Sequence, residues 1–202
     1  MMNITARPHD LLWLRHDTAL LGVTDPWVAE LWHCQQPVVV RRDVMKQGLI
    51  PVGVRGQARH QRAAGWVAPT EVVRVVSPEM LVVPRQLNHH PTVQALVVLR
   101  QHHWPWEWGV TGSTGFALAT GLPVLHQDSD LDLLIRAPNP LRPADVAHWQ
   151  QVLSTLPCRA DSQIETPQGG FALNEWLRSG RVLLKTATGP RLTDNPWAEE
   201  TP

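Results

Sequence analysis

Residues 112–135 have the sequence GSTGFALATGLPVLHQDSDLDLLI, which combines two patterns. In the first, Gly112-Ser113 opens a short apolar segment, and this predicts a helix over residues 113–120. In the second, Asp130-Leu-Asp132 leads into an apolar run, and this predicts a buried strand over residues 131–135. Side chains two residues apart on a strand point to the same face of its sheet. We therefore expect Asp130 and Asp132 to lie side by side.

Two adjacent carboxylates repel each other unless a cation lies between them. Carboxylate oxygens are ligands that Mg²⁺ accepts, and the ion can then be held against a substrate phosphate. Asp128 and Ser129 precede the pair and could instead cap a turn at a solvated strand end. That alternative does not explain two carboxylates on one face where a buried strand begins. We therefore interpret Asp130 and Asp132 as metal ligands.

Gly112-Ser113 follows a predicted strand and begins a predicted helix. Glycine allows the backbone to approach a phosphate closely. The first turn of a helix offers free N–H groups and a partial positive charge, and the hydroxyl of Ser113 can add a hydrogen bond. We expect these two residues to bind phosphate. The alternative is an ordinary turn in which Ser113 is the helix N-cap.

A third carboxylate is expected on a neighbouring strand. Residues 158–165 alternate in polarity and predict such a strand, on which Asp161, Gln163 and Glu165 share one face. Asp161 is our candidate because it comes early in that strand, and Glu165 is its rival. A polar strand face turned to solvent is the alternative to both.

Basic residues supply a second set of candidates, since arginine binds phosphate bidentately and lysine acts as a point charge. Arg55, which lies between glycines, and Lys185, near the C-terminus, are the candidate contacts to substrate phosphates. A solvated basic surface is the alternative for each. Further basic residues of the same kind are Arg41, Arg42, Arg59, Arg62 and Arg191.

The composition narrows the possible functions. The chain has 202 residues and a formal net charge of zero, which disfavours nonspecific binding to nucleic acid or to an anionic membrane. The N-terminus has no signal-peptide core, and no apolar run is long enough to span a membrane. Cys34 and Cys158 lie far apart in the sequence, as is usual for a reduced compartment. We expect a cytoplasmic protein.

The remaining patterns predict two domains, residues 1–84 and 85–202. The first is β-rich, with strands expected at 37–42, 48–56, 72–76 and 81–83 and a helix beginning at Pro26. In the second, helices are expected at 91–101, 143–156 and 173–179, a turn at Gly169-Gly170 and a last strand at 182–185. The predicted class is α+β, with a mixed sheet and flanking helices after a small β-rich domain.

Gly112-Ser113 followed by Asp130-Leu-Asp132 resembles the nucleotidyltransferase superfamily. Five blocks together carry a narrower resemblance. They are PHDLLWL at 8–14, IPVGVRG at 50–56, GSTGFALATG at 112–121, SDLDLLI at 129–135 and LKTATGPRL at 184–192. In these blocks the chain resembles the malonate decarboxylase holo-[acyl-carrier-protein] synthases, which are phosphoribosyl-dephospho-coenzyme A transferases.

This resemblance implies a nucleotidyltransferase-like catalytic domain and a particular reaction. A 2′-(5″-phosphoribosyl)-3′-dephospho-coenzyme A group would pass from its triphosphoribosyl precursor to a serine of the apo acyl-carrier subunit of malonate decarboxylase, releasing diphosphate. Asp130, Asp132 and Asp161 would bind Mg²⁺, and Asp161 could instead accept the serine proton.

In the same reaction, Gly112, Ser113, Arg55 and Lys185 would contact the phosphates, and the N-terminal domain would bind the donor or the carrier. Two alternatives stay open. One is a nucleotidyltransferase that acts on another protein or on a small-molecule hydroxyl. The other is a noncatalytic module that kept the fold.

Overall fold

The computed structural model describes residues 5–56, 58, 60–84 and 87–199. The chain forms two compact units, Met1–Ser77 and Pro78–Pro202, and the sequence-based boundary lies at residue 84, inside the second of these. Helices and sheets are mixed in the described residues, which confirms the α+β class.

The N-terminal unit is a six-stranded antiparallel sheet with one short α-helix, as far as its residues are described. The strand order is β2-β5-β4-β3-β1-β6. The helix α1 has Pro26 in its first turn, where the missing N–H costs nothing. The elements are β1 Leu11–Leu14, β2 Leu20–Leu21, α1 Pro26–Leu31, β3 Val38–Val40, β4 Ile50–Arg55, β5 Arg62–Val67 and β6 Val72–Val76.

The second unit contains a mixed sheet of strand order β12-β11-β10-β9-β8-β7. Strands β8 and β9 are parallel and are joined through α4, whereas the other neighbouring strands are antiparallel. The elements are α2 Pro91–Arg100, β7 Glu107–Val110, α3 Gly112–Thr120, β8 Leu131–Arg136, α4 Pro143–Leu153, β9 Ala160–Thr166, β10 Gly169–Ala172, α5 Leu173–Ser179, β11 Val182–Thr186 and β12 Gly189–Thr193.

The apolar run of β8 is explained by burial on both faces of its sheet, since Leu131, Leu133, Leu134 and Ile135 are all fully buried. Trp149 of α4 is buried as well, and its indole N–H donates to Oγ of Ser162 on β9 at 2.9 Å. These contacts fix the middle of the sheet, while Asp132 and the preceding Asp130 remain accessible to solvent.

Three local expectations were wrong. Leu81–Val83 is not a strand, because the side chain of Arg100 donates to the carbonyl of Leu81 in place of a ladder partner. Gly169-Gly170 is not the turn but the start of β10, where a β-carbon on Gly169 would meet the backbone of Lys185. The strand at Val182–Thr186 is not the last one, since β12 pairs with it.

Candidate active site

The beginning of β8 and the beginning of β9 bring the predicted carboxylates together. Because β8 and β9 are parallel and in register, Asp132 lies directly opposite Asp161. The side chain of Asp130, just before β8, is 41% exposed, and that of Asp161 is 48% exposed. All three residues therefore lie at one accessible edge of the sheet.

Arg159 joins two of these carboxylates, and the sequence-based expectations did not include it. Its Nη2 atom lies 3.1 Å from Oδ2 of Asp130 and 3.1 Å from Oδ2 of Asp161. A signal was present in the sequence, since Arg159 stands two residues before Asp161 and so shares its face of the strand. The cation between Asp130 and Asp161 is thus a guanidinium.

Asp161 is also held from the helix side of the site. Asn174, in the first turn of α5, donates from Nδ2 to Oδ1 of Asp161 at 3.4 Å. Gln150 of α4 donates in turn to Oδ1 of Asn174 at 3.3 Å. Each oxygen of Asp161 therefore has its own donor, and this fixes the plane of the carboxylate.

Gly112 lies against Asp132. Its backbone is left-handed, with φ of +61°, and a β-carbon at this position would overlap the Asp132 carboxylate. The N–H of Thr111 donates to the carbonyl of Asp132 at 2.8 Å, which ties the start of α3 to β8. Glycine is required here by both its φ angle and the close approach.

The first turn of α3 is not capped by the side chain of its N-cap residue. Thr111, the N-cap residue, makes no side-chain capping hydrogen bond, so the first N–H groups of the helix are not satisfied by that side chain. Thr114 is fully buried, and its hydroxyl has no partner among the residues that the structure describes. Gly112 and Ser113 therefore begin a helix that has no side-chain cap from Thr111, and Gly112 lies against Asp132.

The rival carboxylate Glu165 lies elsewhere on the sheet. It is in register with Arg136, at the other end of β8. At a rise of about 3.3 Å per residue, its backbone is roughly 13 Å from that of Asp161. The geometry groups Asp161, and not Glu165, with the aspartate pair.

Lys185, the basic candidate in the second unit, does not lie with the carboxylates. Lys185 is exposed on β11 and in register with Gly170, which in turn is in register with Glu165. Arg55 ends β4 in the other unit, opposite Arg62. Arg41 binds Asp43 at 3.1 Å, and Arg59 lies outside the described residues.

The donor set fits Mg²⁺ in its chemistry. Two carboxylate oxygens already converge on one cationic nitrogen, and carboxylates are the ligands that this ion prefers. Within the described ranges, no group of three or more His, Cys, Asp or Glu side chains is gathered closely enough to hold a metal ion. Arg159 occupies the position of such a cation between Asp130 and Asp161.

Cys158 lies next to this edge but has the properties of a neutral thiol. Burial, and then the negative charge of Asp130, raise the pKa of Cys158 above its ordinary value. A raised pKa lowers the thiolate fraction at neutral pH, and the thiolate is the nucleophilic form. The chemistry of the site therefore rests on its oxygen and nitrogen groups.

Carboxylates at one end of the sheet lie beside the start of a helix, and comparison with known proteins defines the chain as a transferase. The family model described as the MdcG C-terminal domain of phosphoribosyl-dephospho-CoA transferase matches residues 80–196, and its N-terminal counterpart matches residues 7–78. The chain belongs to the phosphoribosyl-dephospho-CoA transferase family, as its sequence blocks predicted.

Curated relatives agree over nearly the whole chain. A phosphoribosyl-dephospho-CoA transferase of Klebsiella pneumoniae is 59% identical, covering 98% of this chain and 100% of the relative. Those of Pseudomonas putida strain GB-1 and Azotobacter vinelandii are 43% and 41% identical, each covering 96% of this chain and, respectively, 96% and 95% of the relative. No solved structure matches. No helix in the described part of the chain is long and apolar enough to cross a membrane.

Proposed function

We propose that this enzyme attaches a 2′-(5″-phosphoribosyl)-3′-dephospho-coenzyme A group to a serine of the apo acyl-carrier subunit of malonate decarboxylase. The donor is the triphosphoribosyl precursor, and diphosphate is released. The observation that carries the site assignment is the convergence of Asp130 and Asp161 on one cationic nitrogen, with Asp132 in register beside them. Family membership supports the class of group transferred.

The reaction is an in-line displacement at phosphorus. The serine Oγ forms a new P–O bond to the phosphoryl group attached to the ribose, and the P–O bond to diphosphate breaks. The serine proton must leave as the bond forms. Asp161 is the candidate acceptor, because Asn174 holds one of its oxygens and a carboxylate can act as a general base.

The phosphate groups need positive charge and N–H donors. The first turn of α3, at Gly112 and Ser113, supplies N–H groups and the positive end of the helix dipole. Asp130 and Asp132, with Asp161, would hold Mg²⁺, which supplies positive charge to the attacking and leaving oxygens when bound. Lys185 and Arg55 stay candidates for the outer phosphates.

Mass spectrometry of the carrier tests this proposal. Purified apo carrier, donor, Mg²⁺ and enzyme should give a carrier heavier by one phosphoribosyl-dephospho-coenzyme A group. Asp130→Asn and Asp132→Asn should each abolish the shift. Asp128→Asn is the matched control, because Asp128 is exposed in the preceding loop, off the strand.

Two results would count against the proposal. If ATP or another nucleotide modifies the carrier as well as the triphosphoribosyl donor does, the enzyme is a nucleotidyltransferase of broader donor range. If the wild-type enzyme binds donor but no serine of the carrier gains mass, the acceptor is a different hydroxyl.

A further inference from the structure

The N-terminal unit contains an open cavity of about 570 Å³, a size usual for small-molecule sites. Part of its wall is apolar, including Leu21, which is 43% exposed. It also contains one aromatic ring and one ammonium group. Its lining residues are Leu21, Gly22, Lys46, Gln47, Leu49 and Trp66.

A tight turn and a left-handed glycine hold the walls of this cavity in place. In one, the N–H of Leu49 donates to the carbonyl of Lys46 at 2.9 Å, and Gln47 and Gly48 have φ angles of +52° and +77°. Positive φ at both central residues defines a type I′ turn. A non-glycine residue with this backbone is uncommon, and such strain tends to occur at functional sites.

Gly22 lies against the indole of Trp66. Gly22 has a φ angle of +70°, and a β-carbon on it would lie 3.0 Å from Cε3 of Trp66. Trp66 itself lies on β5, in register with Pro51 and Leu21 on the flanking strands. Strand pairing and the Gly22 backbone therefore hold the ring in one orientation.

Lys46 occupies the position that a ligand would take over this ring. Its Nζ atom lies 4.7 Å from the ring centroid. An exposed cation–π contact contributes less binding free energy than the stacking of a base on an aromatic side chain. A planar heterocycle can therefore displace the ammonium group from the ring.

Once displaced, Lys46 can neutralise an anion attached to that heterocycle. The described residues give Lys46 no carboxylate partner, whereas Arg41, the other cation near the Trp66 ring, is bound to Asp43. A lysine on a flexible stem suits a phosphate whose position relative to the ring is set by a linker.

We propose that this Trp66–Lys46 cavity binds a planar purine base that carries a phosphate. Two molecules could supply this base and phosphate. The first is the adenine nucleotide end of the dephospho-coenzyme A donor, and for this molecule the inference rests on the proposed function. The other source is a free adenine nucleotide, which offers the same base and phosphate.

Calorimetric titration of the full chain tests the cavity. The Asp130→Asn background removes turnover, and the probes are 3′-dephospho-coenzyme A and AMP. Lys46→Ala should weaken dephospho-coenzyme A binding about tenfold, the value of one charge-assisted hydrogen bond. Arg74→Ala is the matched control, because its guanidinium lies 4.5 Å from the Trp13 ring and neither residue lines the cavity.

A second variant reports the stacking directly. Bound dephospho-coenzyme A should quench tryptophan fluorescence in the parent chain, and Trp66→Phe should remove that quench while retaining a ring. If Lys46→Ala weakens AMP binding by the same factor as dephospho-coenzyme A binding, the base and its phosphate are sufficient for binding to the cavity. Binding of dephospho-coenzyme A alone, weakened in the same way, identifies the donor as the source.

Either of two results overturns the proposal. One is equal affinity of Lys46→Ala and Arg74→Ala for both probes, and the other is no binding of either probe at millimolar concentration. The carrier assay separates this from the proposed function. If the carrier is modified and Lys46→Ala does not change the KM for the donor, the proposed ligand site is wrong and the proposed function stands. If binding of the probes depends on Lys46 but the carrier is not modified, the ligand site stands and the proposed function is wrong.

Discussion

Gly112 and Asp132 occupy adjoining space, so that a β-carbon on Gly112 would overlap the Asp132 carboxylate. The contact joins the two parts of the GSTG…DLD sequence directly, because α3 begins at Gly112 and Asp132 is the second residue of β8. The start of α3 and the carboxylate of Asp132 therefore hold each other in position.

Gly112→Ala should lower activity much more than stability. The left-handed backbone costs an alanine roughly 1–2 kcal/mol. The new methyl group must also displace the Asp132 carboxylate from its position. A displacement of about 1 Å at a reacting group can cost on the order of 100-fold in rate. Carrier modification rates and urea denaturation measure the two effects.

Gly121→Ala is the matched control for this substitution. Gly121 ends the same helix with φ of +72°, and nothing lies within 4 Å of its β-carbon position. It should show the backbone cost without the loss of rate. Equal losses of activity in the two variants would show that the contact with Asp132 has no catalytic importance.

Arg159→Gln should increase the affinity of the site for divalent cations. The guanidinium would compete with a metal ion for Asp130 and Asp161, and one unit charge about 4 Å away is worth about 1 kcal/mol in water. That corresponds to roughly fivefold tighter binding of Mn²⁺, measured by electron paramagnetic resonance or calorimetry without substrate.

Arg142→Gln removes an equally exposed arginine from a different carboxylate, Asp145. It should leave Mn²⁺ affinity unchanged. Weaker Mn²⁺ binding in Arg159→Gln than in the parent chain would mean that Arg159 arranges the carboxylates for the ion and does not compete with it.

The sequence predicted the parts of the site that are local. Asp130 and Asp132 follow from strand alternation, and Asp161 was placed by the same rule on its own strand. Arg159 was missed although it obeys that rule, because its role depends on the parallel register of β8 and β9. That register is set by the crossover through α4 and the packing of Trp149, which no short pattern encodes.

The N-terminal unit shows the same limit. Strand β5 was not predicted, since RAAGWV has little β-branched character and gains its stability by pairing with β4. The cavity at Trp66 depends on that strand and on two distant segments, the turn at Lys46–Leu49 and the backbone at Gly22, so its residues could not be grouped from spacing. Gly169 was misassigned to a turn because glycine also serves the close approach of neighbouring strands.

Asp17 should make stability depend on pH in the acid range. The N–H of Cys34 donates to Oδ1 of Asp17 at 2.7 Å, and this bond, with smaller contributions from the Cys34 and His33 side chains, lowers the pKa of Asp17. A lowered folded-state pKa gives stability that is present above the unfolded-state pKa of about 3.9. It is lost as pH falls through the folded value.

Asp17→Asn should therefore be less stable than the parent chain at pH 7, with the difference shrinking below about pH 4. Chemical denaturation at both pH values measures it. His33→Ala keeps the dominant bond from Cys34 and should retain most of the pH dependence. A difference between Asp17→Asn and the parent chain that persists unchanged in acid would contradict the assignment.

Glu79→Ala should destabilise the second unit strongly. Oε1 of Glu79 accepts from Nε of Arg136 at 2.7 Å, and the two side chains are only 16% and 9% exposed. Removing one partner of a buried ion pair costs about 3 kcal/mol. Asp145→Ala breaks the exposed pair with Arg142 and should cost less than about 1 kcal/mol.

Because Arg136 lies at the far end of β8 from Asp132, Glu79→Ala protein that is still folded should modify the carrier at the parent rate. A rate loss matching that of Asp132→Asn would show that the ion pair acts on the site through β8.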